Sequence, residues 1–162
     1  PRTAAASPAL GYDLFGLSSR TSRSGLYDLL WGENLRPLQQ LASDQVRRDD
    51  IDVRLNIDSC YRESNWNGEG ADPISDAAIK EARAFLYKFP TTLPLPEVIA
   101  EPDGYLGLEW YRNKRLLYVV SFNGQGVLSC SGLIGQTKVY GTYYMDDGIP
   151  SEILGIITRI VQ

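Results

Sequence analysis

Residues 97–145 constrain the fold most. Stretches of six to eight residues rich in apolar side chains recur there, separated by turn signals at short intervals. Pro102-Asp103-Gly104 marks the first turn, Arg112-Asn113-Lys114 the second and Asn123-Gly124-Gln125-Gly126 the third. The spacing predicts strands over 97–102, 105–111, 115–122, 127–134 and 138–145, joined as a meander. Leu106, Leu108 and Trp110 fall on one side of the second strand, with Tyr105, Glu109 and Tyr111 on the other. Strand 115–122 is apolar on both sides: Leu116, Tyr118, Val120 and Phe122 oppose Leu117 and Val119. That is the pattern of a central strand.

Two helices flank this run. Ser75 is placed to cap the first, Asp76 follows in its first turn, and Ile74 can staple against Ile79. Ala78, Ile79, Ala82, Phe85, Leu86 and Phe89 recur at helical spacing, and Pro90 ends the run. The second covers Pro150 to Val161, with Ile153, Ile156, Ile157, Ile160 and Val161 as its buried side. The expectation is an α+β domain over residues 61–162: an antiparallel meander of four to five strands packed with two main helices.

Residues 1–60 read as an N-terminal arm. The run Ser18-Ser19-Arg20-Thr21-Ser22-Arg23-Ser24-Gly25 has no core-forming side chain and reads as a flexible loop. Its flanks carry Phe15, Leu30 and Trp31, large apolar groups that need cover. Pro37 to Arg48 reads as a short helix with Pro at its start and two Arg at its end. Asp49 to Asp58 then alternates, and Ile51, Val53, Leu55 and Ile57 would share one face of a strand.

The composition removes many chemistries. The 162 residues contain no histidine, which eliminates Ser-His-Asp and Cys-His hydrolysis and His-ligated metals. A net charge of −4 argues against a nucleic-acid binder, which normally carries a basic surface. No apolar run reaches membrane-spanning length, and Pro1 to Leu17 lacks the pattern of a secretory signal. Cys60 and Cys130, seventy residues apart, read as two reduced thiols in a cytoplasmic protein.

The remaining constellations are weak. Asn67-Gly68-Glu69-Gly70 has the glycines of a phosphate loop but no lysine, and Glu69 would repel an anion. It reads as a structural turn whose Trp66 plugs a helix–sheet junction. Pro102-Asp103, Glu109 and Lys114 approach the metal-nuclease pattern, but Tyr111 stands where a lysine is needed. Asp49, Asp50, Asp52 and Asp58 lack the register of a calcium loop and alternate with Arg47, Arg48 and Arg54. No Ser-x-x-Lys occurs, and Ser129-Cys130-Ser131 has no base beside it. No cofactor or resident metal is expected.

What stands out is aromatic. Ten Tyr and three Trp are many for this length, and Tyr105, Tyr111, Tyr140, Tyr143 and Tyr144 fall among polar neighbours on strands. Tyr and Trp suit a protein-binding surface, offering large contact area with few rotatable bonds. Phe15, Trp31, Tyr105, Glu109, Tyr111, Tyr140 and Tyr144 are the candidate partner-binding residues.

The stretches Asn65-Trp66-Asn67-Gly68-Glu69-Gly70-Ala71-Asp72-Pro73-Ile74, Leu93-Pro94-Leu95-Pro96-Glu97-Val98 and Pro102-Asp103-Gly104 with Leu108-Glu109-Trp110 carry a resemblance. Over residues 63–161 the chain resembles a group of small bacterial and mobile-element proteins. Their shared pattern is W-[DN]-G-x-G-A-x-P and P-D-G-x-x-x-L-E-W. The resemblance implies a bacterial or phage origin and an accessory role, and it transfers no catalytic residue. The expected function is a non-enzymatic module that binds another protein, of the antitoxin, immunity or inhibitor kind. The alternative is a carboxylate-dependent divalent-metal enzyme, such as a nuclease, using Asp49, Asp52 and Glu109.

Overall fold

A computed structural model describes residues 33–145 and 148–162. The chain divides into two units between Ser43 and Asp44. The elements in chain order are α1 (Glu33–Arg54), a 3-10 turn (Ser59–Arg62), α2 (Asp76–Lys88), β1 (Glu97–Ala100), β2 (Leu106–Asn113), β3 (Leu116–Phe122), β4 (Val127–Ile134), β5 (Thr137–Tyr144) and α3 (Ser151–Val161). The fold is α+β.

The five strands form one antiparallel sheet in the order β1-β2-β3-β4-β5, so every strand pairs with its sequence neighbour. Turn chemistry explains why the meander closes. Gly104, Gly124, Gly126 and Gly135 all take positive φ at strand ends. The second turn differs from expectation. Strand β2 continues to Asn113 with a register shift between Tyr111 and Asn113, and the turn falls on Lys114 and Arg115. Asn113 causes this, because its side-chain oxygen accepts the Arg115 N–H at 2.9 Å.

Helices α2 and α3 pack against β2 and β3. Phe85, Leu86, Ile153, Ile157 and Ile160 meet Leu106, Leu108, Trp110, Tyr118, Val120, Phe122 and Leu128 in one core. Aromatic edges organise its centre: Phe85 stands edge-on to Phe122 at 5.4 Å, and Phe89 lies 5.2 Å from Trp110. Helix α2 starts as its sequence predicts, with Ser75 Oγ accepting the Ala78 N–H at 3.0 Å. A second tie was not legible. The Glu81 carboxylate of α2 accepts the N–H groups of Gly124 (2.8 Å) and Gly126 (2.5 Å), pinning the β3–β4 turn to the helix. Gly124 is required there, since a Cβ would lie 2.6 Å from that of Ala77.

The strand expected over 49–58 does not form: helix α1 continues through Arg54, Leu55 is a turn, and residues 56–58 carry no regular structure. Residues Ile51 and Leu55 are buried, four apart, whereas Val53 between them is 73% exposed. Alternation over so short an apolar run fits either period, and side-chain pairs four residues apart favour the helix. Gln45 bonds Asp49 at 2.8 Å, and Arg54 bonds Asp50 at 3.1 Å. The helix is also longer than 37–48 and holds Pro37 inside it. Within the second unit, Arg47 and Arg54 donate to the carbonyls of Pro90 and Pro96, and Asp52 accepts from Arg83 and Tyr87. The chain after Arg48 therefore builds the helical layer, not the sheet.

Candidate functional site

Alternation along the strands sorts the sheet into two faces. The register places Ile99 against Gly107, Glu97 against Glu109, and Glu109 against Val119. It continues the same face through Ser131 opposite Tyr140, Leu133 opposite Lys138, and Val127 opposite Tyr144. None of these residues belongs to the buried core between sheet and helices. This second face is open among the described residues.

Its make-up is apolar at the centre and aromatic toward β5. Ile99, Leu117, Val119, Val127 and Leu133 are half-buried, while Tyr111, Tyr140 and Tyr144 are 57%, 84% and 68% exposed. Tyr111 on β2 and Tyr140 on β5 are separated by three strand spacings, about 14 Å across the sheet, and by two residues along it. The β1–β2 side is acidic, with Glu97 and Glu109 directly opposite each other. Glu101 folds over the same side. Its carboxylate accepts the Ser121 hydroxyl at 2.6 Å and lies 2.4 Å from where a Cβ on Gly107 would stand. A Cβ at Gly107 would push the Glu101 and Ile99 side chains aside. Burial holds the Glu101 carboxyl above its ordinary range; Asp103 adds to the shift and the Ser121 hydrogen bond opposes it.

Four of the candidate partner-binding residues, Glu109, Tyr111, Tyr140 and Tyr144, share this face. Tyr105 precedes β2 at the same parity, half-buried, with its hydroxyl 3.5 Å from the Asn123 amide. Tyr143 does not join them. It lies on the helix side and packs against the core. Phe15 and Trp31 lie outside the described residues. The aliphatic centre was missed as part of the site, although the two-sided apolar pattern of residues 116–122 was its signal.

The other constellations are used structurally. In the loop after Asn65, the Asn67 side-chain oxygen accepts from Glu69 and Ala71, and that of Asn65 accepts from Gly70. The N–H groups that would cradle a phosphate are therefore turned onto side chains. Trp66 is half-buried, stands edge-on to Tyr61 at 4.8 Å and donates to the Asp72 carbonyl. Asp49 and Asp52 sit on α1, engaged by Gln45 and by Arg83, whereas Glu109 stands on the open sheet face. The acids of the metal-enzyme alternative are not brought together, and no group of three candidate metal ligands occurs among the described residues.

A cleft of about 570 Å³ between α1 and α2 holds Asp52, Arg62, Asp76, Lys80 and Arg83. Four of these are paired, Arg83 with Asp52 and Arg62 with Asp76, while Lys80 has no ion-pair partner among the described residues. Cys60 is exposed, and burial pushes the Cys130 thiol up to about 11. Among the described residues no helix is long and apolar enough to cross a membrane. Comparison with protein-family models, curated proteins and solved structures finds no match.

Proposed function

We propose that this protein is a non-enzymatic binding module that docks another protein on the open face of its sheet, in the manner of an antitoxin, immunity protein or inhibitor. One observation carries the reading: Tyr111, Tyr140 and Tyr144 stand exposed on the face whose centre is Leu117, Val119 and Leu133. Apolar groups ringed by exposed tyrosines have the make-up of an interface core with its rim. The two sides of the face differ in charge. Glu97, Glu101 and Glu109 favour a cationic group on the partner near β2, and the aromatic side favours an apolar one near β5.

Co-purification of the full chain from its native cells tests this. A stoichiometric protein partner is expected. The double variant Tyr111→Ala with Tyr144→Ala should weaken the complex at least tenfold, since interface tyrosines commonly contribute about 1–2 kcal/mol or more each. A partner held equally well by the double variant refutes the proposed face. Recovery of no stoichiometric partner refutes the reading itself.

A further inference from the structure

The two edges of the sheet are unlike. Strand β1 has four residues and is bracketed by Pro96 and Pro102. Arg54 reaches the Pro96 carbonyl beside it, and Ile57, Tyr61 and Trp66 line the groove along its outer side. Those are the usual protections of a sheet edge. Strand β5 has none of them. It runs eight residues in unbroken register with β4, has no proline or bulge, and has no neighbour on its outer side among the described residues.

The outward hydrogen-bonding groups of β5 can be assigned. The Met145 N–H donates to the Gly126 carbonyl, which makes that pair a hydrogen-bonded one in the β4–β5 ladder. Alternation then turns the N–H and C=O of Val139, Gly141 and Tyr143 toward β4. Those of Lys138, Tyr140, Thr142 and Tyr144 point outward. Their side chains lie on the open face.

We infer that β5 pairs with β5 of a second copy of this chain, joining two sheets into one antiparallel ten-stranded sheet. The strand is complementary to itself in one register. With Gly141 facing Gly141 on the two-fold axis, Tyr140 pairs with Thr142 and Lys138 with Tyr144. Every outward N–H and C=O on both strands then finds a partner. The axis falls at a non-hydrogen-bonded pair, where the strands' Cα atoms come closest, about 4.5 Å. Glycine stands there, and the Tyr143 ring of its own strand covers the space a side chain would take. Charge selects the same register. Each Lys138 ammonium meets a Tyr144 ring, a favourable cation–aromatic pair. Sliding the strands until Lys138 meets Lys138 loses hydrogen bonds and opposes like charges. A slip of one residue is forbidden, because the alternate residues have no free backbone groups.

The two-fold axis is perpendicular to the sheet, so both open faces lie on the same side. Tyr140 and Tyr144 of both copies become the centre of one continuous surface. The pairing does not depend on the docking reading, since purified protein alone reports it.

Light scattering on the eluting full chain should give twice the 18.0 kDa chain mass. Amide exchange should show Lys138, Tyr140, Thr142 and Tyr144 protected along with the inward-facing Val139, Gly141 and Tyr143, and this protection should fall on dilution. Thr142→Pro removes an outward N–H that no bond among the described residues uses, so it should give a folded monomer. Tyr144→Lys, an exposed substitution that sets lysines opposite each other, should raise the dissociation constant at least tenfold. A parent chain that stays at 18.0 kDa overturns the inference. So does a dimer that tolerates both substitutions, or one in which the four outward amides exchange freely.

Discussion

Replacing Glu81 tests whether the helical layer holds the sheet's turns in place. Its carboxylate reaches across from α2 to accept two backbone N–H groups in the β3–β4 turn, Gly124 at 2.8 Å and Gly126 at 2.5 Å. Hydrogen bonds to a charged acceptor contribute about 1.5–3 kcal/mol each when shielded and less when water competes. The Gly124 bond is partly buried and the Gly126 bond exposed. We therefore expect Glu81→Ala to lower stability by about 2–3 kcal/mol, the larger share from the stranded Gly124 N–H. That corresponds to a fall in Tm of about 4–12 °C for a chain of this length. Glu81→Gln keeps one acceptor and presents an amide N–H₂ to the other donor, so it should lose about 1–2 kcal/mol. Urea unfolding followed by circular dichroism gives these differences, with an unchanged m value confirming a loss of stability alone. Exchange at the Gly124 amide should accelerate in parallel. A Glu81→Ala variant within about 0.5 kcal/mol of the parent would show that the turn holds itself and that the reasoning is wrong.

Three further outcomes follow from the geometry. Ile51→Ala should cost about 2–4 kcal/mol and Val53→Ala less than about 0.5 kcal/mol, because only the first side chain is buried; equal costs in denaturant would restore a strand there. The folded chain holds the Glu101 proton to higher pH than the unfolded chain, so this group's contribution to stability is present in acid and lost as pH rises through the raised value. Glu101→Gln should thus exceed the parent in stability at neutral pH and converge with it in mild acid; a difference that grows on acidification refutes the assignment. With Cys60 exposed and the Cys130 thiol pushed up to about 11, a thiol reagent should titrate Cys60 at once and Cys130 only on unfolding. Simultaneous reaction of both in native protein contradicts the burial of Cys130.

The meander was legible because its signals are local. Glycine turns and two-residue alternation act within a few residues, so the strands and the two faces of β2 follow from the chain itself. Helix α2 was equally legible, since Ser75, its apolar stripe and Pro90 are start, body and stop signals in sequence order. Residues 51–57 were misread for a related reason. Four β-branched or aliphatic residues at alternate positions carry no mark of period when the flanks are charged; side-chain pairs four apart and the burial of Ile51 and Leu55 carry the helix on through Arg54. Tyr143 was set with the wrong tyrosines because adjacent aromatic residues on a strand always part to opposite faces, and the pattern of neighbours did not say which face was buried.

By itself, the order of amino acids determined the secondary elements of residues 76–161, the succession of strands and the absence of any imidazole chemistry, since each depends on neighbours in the chain or on composition. Tertiary structure decided the rest. It set Glu81 on the turn at Gly124, Glu101 over Gly107, Asp52 against Arg83, and Asp49 and Asp52 on a different element from Glu109. Apart from Glu101 and Gly107, six residues apart, those pairings join residues far apart in sequence, and the packing of helices on one side of the sheet says which groups meet and which face stays open among the described residues.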